Sequence, residues 1–159
     1  MNNRVNIEIN HHDFPNRLEN SITQAVNLTL TFVSKGQQVE ITVLICDDEY
    51  MRKLNLTYRG LDKTTDVLSF EDSFEIPGSR ATYMGDIAIS YSTAVRQAEA
   101  LGHTVDAEIS LLAVHGALHL FGFDHQDAQQ KEAMWALQSK IMTTLGFPNI
   151  AIVEDGYDV

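Results

Sequence analysis

The sequence is poor in cysteine, proline and basic residues, and each shortage closes off a class of protein. One cysteine, Cys46, stands among 159 residues. It cannot form an internal disulfide, so no disulfide framework holds this fold, and the residue reads as a small buried side chain at a strand end. Three prolines and nine glycines are too few for a collagenous or low-complexity chain. No apolar run is long enough to cross a bilayer: the most apolar segment, 109–123, falls short of the roughly 20 residues a spanning helix needs. The opening Met-Asn-Asn-Arg leads into apolar and polar alternation, not into the apolar core and cleavage site of a signal peptide. The expected location is therefore the reducing cytoplasm, with no membrane partner. Lys and Arg number 11 against 22 Asp and Glu, for a net charge of −11. That balance excludes a surface gripping nucleic acid through bulk electrostatics, and no DNA is expected as a partner. A local basic site stays open. The most basic window lies between Tyr50 and Thr65, where Arg52, Lys53, Arg59 and Lys63 face one acid, Asp62.

What is present fits one compact domain over 1–159. Val5, Ile7 and Ile9 alternate with polar residues, as do Val39, Ile41, Val43 and Ile45, so both runs read as strands with one buried face. Between them, Leu18, Ile22, Ala25, Val26, Leu30 and Val33 fall at helical intervals, predicting an amphipathic helix over about 14–34. His11 and His12 sit in the preceding turn as solvated or capping residues. Asp47 to Glu49 supply a cap and an acidic first turn for a short helix to about Tyr58, with Arg59 at its C-terminal end. Asp66 to Phe70 reads as a short strand, followed by a polar surface loop containing Pro77-Gly78. A strand over Met84 to Ser90 comes next. Ser90 or Ser92 caps a helix to Leu101, and Thr104 caps one that runs to Phe121 and is apolar on nearly every side. The last helix spans about Asp127 to Leu145, and the acidic tail beyond it is expected to fray. The fold class that follows is α+β: a small mixed sheet of about four strands packed with helices.

Three of the six histidines fall within His115 to His125. On a helix, residues four apart share a face, so His115 and His119 present two imidazoles to one point. Gly122 can take the left-handed conformation that ends a helix and turns the chain, bringing His125 back as a third ligand. Three neutral imidazoles leave a fourth position open for water, the layout of a catalytic zinc site on the central helix and the loop after it. The spacing matches the metzincin proteases, H-E-x-x-H-x-x-G-x-x-H, except that Gly116 stands where the general-base glutamate belongs. Without that acceptor, a metallopeptidase reading loses its mechanism.

The run from His115 to His125 resembles the signature of the YbeY family, bacterial metal-dependent endoribonucleases of ribosomal RNA maturation. Two further blocks resemble that family in the same order: Leu54-Asn55 through Tyr58-Arg59, with Asp62 and Thr65 to Phe70, and then Gly85-Asp86-Ile87 with Ile89-Ser90. The departures are Phe123 for the usual tyrosine and Thr64 for the usual proline. The resemblance implies His115, His119 and His125 as ligands for one zinc ion, and Arg59 as the essential arginine facing the cleft. It also implies single-stranded ribosomal RNA as substrate and ribosomal components as partners. Physical chemistry agrees, since a guanidinium fork suits phosphate oxygens while a metal activates water. Asp66 and Asp86 are acids expected near the site, either orienting a histidine or capping a turn; Asp124, next to His125, is read as a base or as an anchor for that ligand, and no general base is assigned. The other class compatible with the sequence is a metal-stabilised, ribosome-associated binding factor without catalysis.

Overall fold

The computed structural model describes residues 3–150; the acidic tail read as fraying lies outside them. Nine elements follow in order: β1 (Arg4–Ile9), α1 (Arg17–Val33), β2 (Val39–Cys46), α2 (Asp48–Arg59), β3 (Val67–Glu75), β4 (Thr82–Ser90), α3 (Tyr91–Leu101), α4 (Val105–Leu120) and α5 (Ala128–Thr144). The strands form one mixed sheet in the order β1-β2-β4-β3, parallel except for the β3–β4 hairpin. The fold is thus the expected single α+β domain, with four strands and five helices among the described residues.

The period-two alternation decides which face of the sheet is which. Ile41, Val43, Ile45, Val67, Ile87 and Ile89 point to one side, where they join α1, α4 and α5 in the main core. The other side carries a much smaller cluster, Cys46, Leu68 and Ala88 under Met51 and Leu54 of α2. Helix α2 covers only part of that second face. Cys46 is fully buried, and burial reinforced by Asp47 and Asp48 pushes its thiol up to about 12, so it is an inert core residue.

Three helix starts follow the caps read from the sequence, at Asp47, Ser90 and Thr104, and Asp127 supplies a fourth. Asp47, Ser90, Thr104 and Asp127 each accept a backbone N–H from three residues on, from Tyr50, Thr93, Ala107 and Gln130. Asp48 then ties two of these starts together, accepting from Ser90 Oγ and Thr93 Oγ1 at 2.6 Å and from Thr64 Oγ1 at 3.3 Å. Thr64 is therefore used as a hydrogen-bond donor, which a proline at that position could not be.

One expectation needs correction. The segment after Phe70 is not a surface loop: β3 continues to Glu75 and pairs Phe74 with Tyr83 and Glu75 with Thr82, so β4 also begins earlier than Met84. The reason is exposure. Residues 71–75 form an edge strand reaching past the core, and with no face to bury they need no apolar alternation.

Helix α4 is buried along its length, from Ala107 to Leu120 with only His119 half-buried. Its approach to the sheet is set at Gly116. A Cβ placed there would lie 2.6 Å from Ile87 Cγ2 and 3.3 Å from Ser69 Oγ, and Ser69 Oγ donates to the Gly116 carbonyl at 2.9 Å. In Gly116→Ala, overpacking costs roughly 1–3 kcal/mol and helix propensity returns only about 1 kcal/mol. Because the obstructing group is a fully buried, β-branched core side chain, which is stiff at χ1, a net loss of stability is expected in urea titration. A variant as stable as the wild type would contradict this packing account.

Candidate metal centre

Helix α4 delivers His115 and His119 one turn apart, and its C-terminus delivers the third imidazole. Gly122 adopts φ +90°; its N–H donates to His119 O at 3.0 Å and Phe123 N–H donates to Leu118 O at 3.1 Å. Together these bonds form a Schellman closure that reverses the chain. Phe123 packs on the main core without needing the hydroxyl a tyrosine would bring. His125 is thereby returned to the helix, with its backbone N–H donating to Asp124 Oδ1 at 2.7 Å.

The three histidines each bring a ring nitrogen into a cluster whose members all lie within 4.8 Å of one another. His115 Nε2 and His119 Nε2 are 3.1 Å apart, close to the roughly 3.4 Å expected for two nitrogens on one tetrahedral zinc. His125 Nε2 is buried with no hydrogen-bond partner among the described residues, an expense that a metal bond would remove. The protonation states fit as well. Burial, then the neighbouring His119, lowers His115 to about 3, although its bond to Gln138 opposes the shift. Burial and His125 lower His119 to about 4, with Asp124 opposing and the charge of Arg59 assisting. Both imidazoles are neutral near pH 7, as ligands must be.

Two residues that the sequence did not single out complete the centre. His115 Nδ1–H donates to Gln138 Oε1 at 2.9 Å, which fixes the tautomer and leaves Nε2 as the free lone pair. Trp135, one turn earlier on α5, packs against His115 and His125 with ring centroids 5.8 and 5.4 Å away. The one signal available in the sequence was that Trp135 is the only tryptophan in the chain; the burial of Gln138 beside Met134, Ile141 and Met142 shows only in the fold.

Arg59 ends α2, and Gly60 caps it. It lines a pocket of about 220 Å³ together with His119, Asp124, Ser69, Glu71 and Gln126. Its basic neighbours are otherwise engaged: Arg52 makes a two-pronged pair with Asp62 at 2.7 and 3.0 Å, and Lys53 lies 3.7 Å from Glu49. Among the described residues Arg59 makes no ion pair, and its charge reaches His119.

The acids divide three ways. Asp124 lies at the centre. Asp66 does not: it is buried in a separate network, where Gln97 Nε2 donates to Asp66 Oδ2 at 3.2 Å and to Glu108 Oε2 at 2.7 Å, with His103 Nε2 2.6 Å from Glu108. Burial pushes the Asp66 carboxyl up to about 7, against the bonds from Gln97 and the Val67 N–H. Asp86 stands on the far face of the sheet, bonded to the Tyr83 hydroxyl. His11 and His12 remain in their turn, His11 Nε2 lying 3.3 Å from Ser92 Oγ.

Fold and site together define an α+β protein built around an open three-histidine centre with an arginine beside it. A family model described as Endoribonuclease YbeY matches residues 4–146, and the chain belongs to that family. Relatives with the same name include one from Roseiflexus sp. (strain RS-1), 43% identical over 79% of this chain and 82% of its own. Another, from Syntrophomonas wolfei, is 34% identical over 84% and 90%. A Thermotoga maritima protein solved in solution shares the fold, with a TM-score of 0.59 at 23% identity over 87% of this chain and 86% of its own. No helix among the described residues is long and apolar enough to cross a membrane.

Two outcomes follow. Gln138→Leu should weaken metal binding by roughly 10–100-fold in a chelator competition, and unchanged affinity would show that the amide does not support His115. In metal-free protein, the depressed histidines let the unfolded chain take up protons that the fold refuses, so their contribution is intact above about pH 6.5 and is lost as pH falls toward 4. Asp66, raised to about 7, acts in the opposite sense. The comparison is therefore with His119→Gln, whose urea midpoint should gain on wild type between pH 7 and pH 5.

Proposed function

We propose that this chain is a zinc-dependent endoribonuclease that cleaves single-stranded RNA in the cytoplasm. Its substrate would be ribosomal RNA in maturation and ribosome quality control, with ribosomal components as partners. The observation that carries this reading is the pairing of Arg59 with His119 in one small pocket, beside a centre whose three nitrogens suit a metal. The names of the relatives point the same way.

In this reading each residue has a distinct task. His115, His119 and His125 hold zinc, which when bound supplies a Lewis acid and lowers the pKa of water. Arg59 offers a planar pair of N–H donors to the non-bridging oxygens of the scissile phosphate and stabilises the charge that develops there. It stands at the end of a helix capped at Gly60, so little reorganisation is needed when the phosphate arrives. Asp124 holds the backbone of His125 and keeps the third imidazole aimed. Gln138 keeps the first one in its tautomer.

The peptidase alternative fails on space as well as chemistry. A glutamate at position 116 would start its side chain 2.6 Å from Ile87, inside the helix–sheet contact.

Two variants separate metal from chemistry. His115→Ala should lose both bound zinc and RNA cleavage. Arg59→Ala should keep its zinc and fall in kcat on the order of 10²–10³, with precursor RNA accumulating in cells. Cleavage that survives in metal-free His115→Ala would overturn the hydrolase reading. Arg59→Ala protein with normal RNA processing would favour a binding factor instead.

A further inference from the structure

A second and larger cleft, of about 800 Å³, lies on the face of the sheet that α2 leaves open. Its floor is the outward row of the strands, Leu44, Ala88 and Phe70, and its wall is Tyr50, Leu54 and Tyr58 of α2. Arg59 and Glu71 line both this cleft and the pocket at the metal centre. The two sites therefore meet across β3, the edge strand.

The chemistry of the large cleft differs from that of the small pocket. Glu8, Glu71, Asp72 and Asp86 line it against one cation, Arg59. A phosphodiester moved inward from Arg59 meets like charge at each step. An uncharged, flat group with N–H donors on its edge meets apolar and aromatic surface for its faces and carboxylate acceptors for its edge. Tyr58 is 67% exposed and sets its ring at 63° to Phe70 with centroids 5.1 Å apart, offering a notch for a ring rather than a closed core contact. Phe70 and Asp86 are direct cross-strand partners, which places their Cβ atoms about 5 Å apart on one face. A ring stacked on Phe70 thus brings its edge to Asp86. That carboxylate is pre-oriented, since the Tyr83 hydroxyl is bonded to it and sits 2.7 Å from Thr42 Oγ1.

From this arrangement we infer that the open-face cleft is a nucleobase pocket. While Arg59 holds the backbone phosphate, an adjacent unpaired base stacks on Phe70 and Tyr58. Asp86 then accepts from its edge, favouring guanine, adenine or cytosine, which carry an amino group, over uracil, which presents carbonyl oxygens where the amino group would be. The inference rests on the RNA-cleaving reading for the identity of the strand, and it adds a specificity-determining residue, Asp86, on the face opposite the metal ligands.

The test is binding, kept apart from cleavage. Fluorescence anisotropy with EDTA-treated protein compares single-stranded RNA hexamers of uracil alone with hexamers carrying one cytosine, adenine or guanine. Wild type should bind the amino-bearing hexamers about tenfold more tightly. Asp86→Asn, which can turn an amide donor toward a carbonyl, should erase or reverse that preference. Phe70→Leu should weaken all hexamers about tenfold without changing their order. Equal affinities in the wild type overturn the proposal, as does a preference that Asp86→Asn leaves intact in a variant with wild-type melting temperature. Binding that returns only on adding Mg²⁺ also overturns it, by showing that the acids hold a cation. RNA cleavage by zinc-loaded protein without base preference would remove the pocket and leave the nuclease reading standing. Base preference without cleavage would do the reverse.

Discussion

The close approach of helix α4 to the sheet at Gly116 sets the geometry on which both faces of this protein depend. With no side chain at that position, Ile87 fits against the helix backbone and Ser69 bonds to its carbonyl. The helix is thereby fixed in height and rotation over β3 and β4, with His115 fully buried against the core and His119 one turn on, half-buried at its margin. Arg59 comes to the same margin from the other side, at the end of α2. A larger residue at 116 would raise the helix and separate the imidazoles from the arginine before it altered any ligand. The glycine that removes peptidase chemistry is thus the residue that seats the site.

Electrostatics divide the molecule in a similar way. A chain of net charge −11 cannot draw RNA over its whole surface, so any hold on a phosphate has to be local. Most of the basic window is neutralised by its own acids, Arg52 by Asp62 and Lys53 beside Glu49. Arg59 makes no such pair among the described residues and lines the pocket beside His119. The buried carboxylates Asp66 and Glu108 serve the frame instead: bridged by Gln97 and joined by His103, they connect the start of β3 to helices α3 and α4.

Much of this was legible in the sequence, and the exceptions share a cause. Strands β1 and β2 declared themselves because each buries one face, so a two-residue period was imposed on Val5 to Ile9 and on Val39 to Ile45. Caps were readable because Asp47, Ser90 and Thr104 act on residues three positions away. The histidine cluster was readable for the same reason, all its spacings lying within one helix and its closing turn. The outer half of β3 left no trace, since an exposed edge strand is under no pattern constraint. Gln138 was not found because its partner is 23 residues away and nothing local marks it. Asp66 and Asp86 were drawn toward the site by their place in matched blocks, yet the register puts one in the frame and the other on the open face.

The dependence of His115 on Gln138 has a consequence for biosynthesis. The sheet, α4 and all three histidines are complete by residue 125, whereas the amide that fixes the first imidazole arrives thirteen positions later, on a helix that must also dock Trp135 over the ring. A nascent chain halted between those points would lack both the amide at His115 and the part of the core that α5 supplies. Because Met134, Ile141 and Met142 of that same helix belong to the main core, closing the core and locking the first imidazole are one docking event.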